Sequence, residues 1–184
     1  PKQGFDNYVV HDELNDDLIV RHNNLLEQMK QKNLENKNFF IYLHYSKIHT
    51  GIMNEILKVY DNFSNEFFSN KSKNELRYDK LFESAENYLS KILEKISQLK
   101  FDKNSIILVM SDHGISVGEK IGERAYGAFC YDYTLRTFTY FLIPDFNSTE
   151  VKNQIRTIDF MPTILDLLNI SLDKNSSDLD GQSL

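Results

Sequence analysis

The chain has 184 residues, 41% of them hydrophobic and 26% charged, with 21 Lys and Arg against 27 Asp and Glu for a formal net charge of −6. That length suits one domain with a sizeable core, and the charge balance argues against a nucleic-acid binder, which would carry a basic face. No apolar run is long enough to cross a bilayer and no signal-peptide pattern opens the chain, so the sequence contains neither a membrane segment nor a leader.

Cys130 is the single cysteine. One thiol makes no internal disulfide, and a cytoplasmic setting is favoured over an oxidising compartment. Its neighbours Phe129 and Tyr131 predict a small buried hydrophobe. Pro1 and the closing Gln182-Ser183-Leu184 both read as cut ends.

Gly4 to Val10 reads as an extended piece before an acidic loop. Leu18, Val20, Leu25, Leu26 and Met29 predict a helix over 18–32. After a polar break at 33–38, Phe39-Phe40-Ile41-Tyr42-Leu43-His44 has the composition of a buried strand. An irregular helix is expected over 52–68 and a solvated loop over 70–74. Leu81, Ala85, Leu89, Ile92, Leu93 and Ile96 lay an apolar stripe along a helix over 75–99.

Ser105 to Ser111 is a second strand, apolar on both faces. Gly114, Gly118, Gly122 and Gly127 punctuate the loop that follows. Thr137 to Ile143 is a third strand, Pro162 suits the first turn of a helix through Leu168, and the tail from Ser171 to Asp180 is polar. Apolar strands separated by long helices predict an α/β domain, with a largely parallel sheet sandwiched by helices. Nothing marks a second domain.

The chemistry centres on Ser111-Asp112-His113-Gly114, placed where an apolar strand ends. Ligands gather outside the carboxyl ends of strands in open α/β sheets, and a carboxylate beside an imidazole is a natural pair of ligands for a divalent cation. The plain alternative has Asp112 capping a turn and His113 satisfied by a backbone group. His44 reads as structural, and His11 and His22 as surface residues in polar surroundings. Arg136 is expected to pair with Asp132 or Asp159.

Several segments, in chain order, together resemble the sulfatases and related metal-dependent phosphoesterases and phosphonate hydrolases. They are Gly4-Phe5-Asp6, the run from Phe39 to Thr50, Tyr78-Asp79 with Ala85-Glu86, Ser111 to Gly114, Gly118-Glu119, Tyr131 to Arg136, Ile158 to Leu167, and Asp180-Gly181-Gln182-Ser183-Leu184. The resemblance covers nearly the whole chain and implies the C-terminal portion, over 1–184, of a single alkaline-phosphatase-like catalytic domain. By that resemblance Asp112 and His113 match the second pair of metal ligands. The family's usual ion is calcium, with manganese or zinc in the phosphoesterase relatives, and an imidazole donor tilts the set toward a transition metal.

His49 matches the histidine that touches the anionic group or the leaving oxygen, a role suited to an imidazole near neutral pH. The family's preceding proline is replaced here by Ile48. Members commonly carry a lysine or histidine shortly before the Tyr-Asp pair, and the stretch from Ala125 to Phe129 has none. Lys120 or Arg124, just upstream, is expected to supply that charge, the alternative being a solvated charged loop.

The formylglycine nucleophile of sulfatases arises in a "CxPSR"-like motif that this sequence lacks, so any nucleophile lies outside the chain. The implied substrate of the intact protein is a small-molecule or glycan sulfate ester, with an isolated chain expected to be inactive. Phosphodiester or phosphonate hydrolysis, phosphoethanolamine-type transfer, and a non-catalytic relative that reads anionic glycans are the alternatives.

Overall fold

The computed structural model describes residues 4–12, 15–33, 37–60, 65–126, 129–171 and 179–184. Gly127, part of the break at 33–38, part of the helix expected over 52–68 and most of the tail read over 171–180 lie outside them. The chain divides into two compact units, Pro1–Lys103 with His113–Arg136, and Asn104–Asp112 with Thr137–Leu184. The division falls at the Asp112–His113 peptide bond.

The first unit is helical. Helix α1 spans Leu18–Asn33 and α4 spans Lys71–Gln98. The buried face of α1 is Leu18, His22 and Leu26, a spacing of four that places all three on one side. His22 is therefore a core residue rather than a surface one: its Nδ1 lies 2.7 Å from the Tyr88 hydroxyl of α4. On α4 the stripe centres on Tyr88, Ile92 and Ile96, and a Lys95–Glu27 ion pair joins the outer edges of the two helices.

The loop expected at 70–74 is instead the start of α4. Asn74 is fully buried, donates to the carbonyls of Phe67 at 2.9 Å and Val117 at 3.0 Å, and accepts from the Tyr60 hydroxyl at 2.8 Å. A polar side chain that replaces water on all sides in this way belongs to the interior.

Between these helices the irregular helix resolves into α2 (Lys47–Gly51), a π-helical turn over Ile52–Leu57 and α3 (Glu66–Ser69). Ile52, Ile56 and Phe67 join Ile115, Val117 and Ala125 in one buried cluster.

Residues 39–44, expected to be a buried strand, form no ladder among the described residues. Their side chains alternate, with Phe40 70% and Tyr42 65% exposed. That period of two is the pattern of a strand with one face against its own core. Tyr45 ends the run by stacking on Tyr88 at 4.4 Å, which ties the approach to α2 onto α4.

The second unit carries the two strands seen among the described residues, β1 (Ile107–Met110) and β2 (Thr139–Leu142). They pair antiparallel with Ile107 opposite Leu142 and Met110 opposite Thr139. The largely parallel sheet expected from the sequence is thus not seen among the described residues. Apolar composition reports burial of a strand and not its direction, because direction depends on which neighbour supplies the hydrogen bonds.

Helix α6 (Phe160–Leu167) follows a 3₁₀ turn over Thr157–Asp159. Its phenylalanine Phe160 meets Phe141 of β2 edge-on at 6.1 Å. The terminal motif docks here: Gln182 N–H donates to Asp159 at 3.0 Å, and Leu184 N–H donates to the Thr163 hydroxyl at 3.2 Å. Asp159 is paired by Arg156, at 3.0 Å, and not by Arg136, whose side chain has no ion-pair partner among the described residues.

Candidate active site

Strand β1 runs on through Ser111, whose N–H donates to Phe138 and whose hydroxyl accepts from the Phe138 N–H at 3.2 Å. The serine thus closes the ladder, and the chain leaves it with Asp112 and His113 both exposed. Gly114 is required at the next position, since a Cβ there would stand 2.2 Å from the Tyr133 carbonyl oxygen. Its own N–H donates to Thr134 at 2.9 Å, which anchors the exit turn to α5 (Asp132–Leu135).

His113 Nδ1 lies 2.7 Å from the Gly114 carbonyl oxygen. A carbonyl only accepts, so Nδ1 carries the proton and the lone pair of the neutral ring is on Nε2. The backbone contact named as the plain alternative is therefore present. Among the described residues no group of three or more candidate ligand side chains comes together.

His49 is exposed on α2. Its ring stacks on Tyr126 at 4.6 Å between centroids with planes 25° apart. His113 meets the same tyrosine edge-on, at 5.8 Å and 86°. The Tyr126 hydroxyl donates to the His49 carbonyl oxygen at 3.0 Å. Two histidines separated by more than sixty positions in the sequence thus share one aromatic neighbour.

The loop after His113 is built on acids. Glu119 accepts from the Ser116 hydroxyl at 3.0 Å, Val117 N–H at 2.8 Å and Gly118 N–H at 3.1 Å. Buried Glu123 accepts from the Phe129 N–H at 3.3 Å and from the Tyr133 hydroxyl. Burial, and then the Glu123 carboxylate, hold the Tyr133 phenol well above its ordinary range.

Lys120 lies over the Tyr131 ring at 3.6 Å, and the Arg124 guanidinium lies over Phe68 at 5.4 Å and Phe67 at 6.0 Å. Both cations from the sequence reading are thus seated on aromatic faces. Cys130 is exposed, contrary to expectation. The residue this segment buries is Thr134, whose hydroxyl donates to the carbonyls of Phe129 and Tyr131 and so closes the turn with polar bonds.

Tyr126 was not singled out from the sequence. Its signal was present only indirectly, as an aromatic in the stretch where the family's cation is missing.

The model of the sulfatase family matches residues 3–170, and the chain belongs to that family. A solved structure described as Ps i-CgsB shares the fold, with a TM-score of 0.63 and 20% identity over 90% of this chain. This chain spans 36% of that one's length. No curated protein matches the sequence. Among the described residues no helix is long and apolar enough to cross a membrane.

Proposed function

We propose that the intact protein hydrolyses sulfate esters of a small molecule or glycan, and that this chain supplies the leaving-group side of the site and half of a cation shell. The observation that carries this reading is the meeting of His49 and His113 on the Tyr126 ring. Asp112 and His113 Nε2 would hold the cation, calcium by family habit and manganese or zinc by the imidazole donor. Such an ion, when bound, neutralises ester oxygens and acidifies a hydroxyl nucleophile.

His49 then serves the departing oxygen. An exposed imidazole in this position donates a proton as the bond to that oxygen breaks. Lys120 and Arg124 assist only by leaving their aromatic seats. The nucleophile, the remaining ligands and a partner strand for residues 39–44 belong to the rest of the domain. The open, alternating edge at Phe40 and Tyr42 supports that last assignment.

The test is turnover of an aryl sulfate and of matched phosphate mono- and diesters by the full-length protein, with and without a chelator. Chelator-sensitive sulfatase activity that His49→Ala lowers by roughly 10²-fold or more is expected. Preference for a phosphate ester would replace sulfate by phosphoryl chemistry. A metal-loaded protein that turns over neither would overturn the hydrolase reading.

A further inference from the structure

We infer that Tyr126 is a positioning residue, a post that sets the orientation of the His49 and His113 rings for catalysis. The inference rests on the hydrolase reading above and adds a residue to it.

Three observations point the same way. The first is the double contact itself: one face of the Tyr126 ring covers the His49 imidazole at 4.6 Å, and His113 stands against it at 86°. A covered imidazole cannot swing freely about its Cβ–Cγ bond, so its nitrogens point in a restricted direction. The second is the hydroxyl, which donates to the His49 carbonyl oxygen at 3.0 Å. Ring and backbone of the same histidine are therefore held by one side chain.

The third is the backbone that delivers Tyr126. Ala125 has φ 50°, in the left-handed region that L-residues with a Cβ adopt only at a cost. Ala125 is also 1% exposed, within the cluster of Ile52, Ile56, Phe67, Ile115 and Val117. Its carbonyl accepts from Ser116 N–H at 2.6 Å in an isolated antiparallel bridge. The strained turn is thus over-determined by packing and bridging. It points Arg124 toward Phe67 and Phe68 and Tyr126 toward the histidines. Strain held at one residue beside a candidate site is the usual mark of a position set by function.

Displacement of reacting groups by about 1 Å costs roughly 10²-fold in rate, and outer groups that orient ligands are worth about 10–100-fold. In the full-length protein, Tyr126→Leu keeps an apolar body against the core cluster and removes the aromatic face. It should lower kcat roughly 10–100-fold with KM little changed. Tyr126→Phe keeps both ring contacts and should stay within roughly fivefold of the parent, the worth of one ordinary hydrogen bond.

A second readout is independent of turnover. Imidazole proton signals of His49, assigned with His49→Ala, should be shifted upfield by the ring in the parent and in Tyr126→Phe, and return downfield in Tyr126→Leu. A Tyr126→Leu protein with parental kcat, while His49→Ala is impaired, overturns the inference. So does a Tyr126→Phe as slow as Tyr126→Leu, or an unshifted His49 signal in the parent. If His49→Ala leaves turnover intact, the function assigned to His49 fails, and the proton shifts alone decide whether Tyr126 holds the ring.

Discussion

Asn74 donates to the carbonyl of Val117 at 3.0 Å, from a side chain with no exposed surface. The bond joins α4 to the loop that leaves His113, across a sequence separation of 43. Phe67 and Tyr60 complete its set of partners.

Removing this amide would take the side-chain donor from the buried Val117 carbonyl and one bond each from the Phe67 carbonyl and the Tyr60 phenol, which keep the Asn70 N–H at 3.4 Å and Arg77 at 3.2 Å. Asn74→Ala should therefore destabilise by about 2–4 kcal/mol. Denaturant unfolding measures it, and hydrogen exchange should show the loss of protection concentrated in residues 115–126. A change below about 0.5 kcal/mol, the ordinary range for a surface position, would show that the amide does not hold the loop.

The Tyr133 phenol gives a base-side signature. Its folded pKa is raised by burial and by Glu123, so its contribution to stability is complete below the ordinary tyrosine value. That contribution is lost as pH climbs from there toward the folded value. Ultraviolet titration should show Tyr133, with the half-buried Tyr78, ionising later than the other tyrosines, and Glu123→Gln should move Tyr133 part of the way back toward them. Simultaneous ionisation of all tyrosines in the folded protein would contradict the Glu123–Tyr133 arrangement.

The acid side belongs to Asp159. Bonds from Gln182 N–H and from Arg156 hold its carboxyl below the usual carboxylate range against the opposing effect of burial. Stability from this group is present above the unfolded value, about 3.9, and is lost as pH falls through the folded one. Asp159→Asn should lower Tm at neutral pH and flatten the acid limb of the stability curve. An unchanged acid limb would mean that the terminal motif is held by something else.

Gly181 supplies a steric test of the same docking. A Cβ there would meet the Ile158 carbonyl oxygen at 2.0 Å, so Gly181→Ala must displace the tail. Limited proteolysis should then cut after the motif's departure from α6 at a protease concentration that spares the parent. Equal resistance in both proteins would show that the tail tolerates a side chain.

Much of the local structure could be read directly. The apolar stripe of α4 lies where Ile92 and Ile96 put it, and β1 and β2 fall inside the runs that named them. The family followed from motifs in order, because motif order survives where identity does not. His22 was readable too: Leu18 and Leu26 flank it at a spacing of four, and only its polar neighbours hid the face it belongs to.

What the sequence determined alone, then, is the set of parts: helices and strands from periodicity, the family from its motifs, and Asp112, His113 and His49 as the residues with suitable chemistry. Tertiary structure decided the direction of strand pairing, the burial of Asn74, the exposure of Cys130 and the contacts of Tyr126 with two histidines. The reason is range. Periodicity and capping are written in neighbours within a few positions, whereas a ladder partner or a shared aromatic contact joins segments tens of residues apart, and exists only once the core between them has closed.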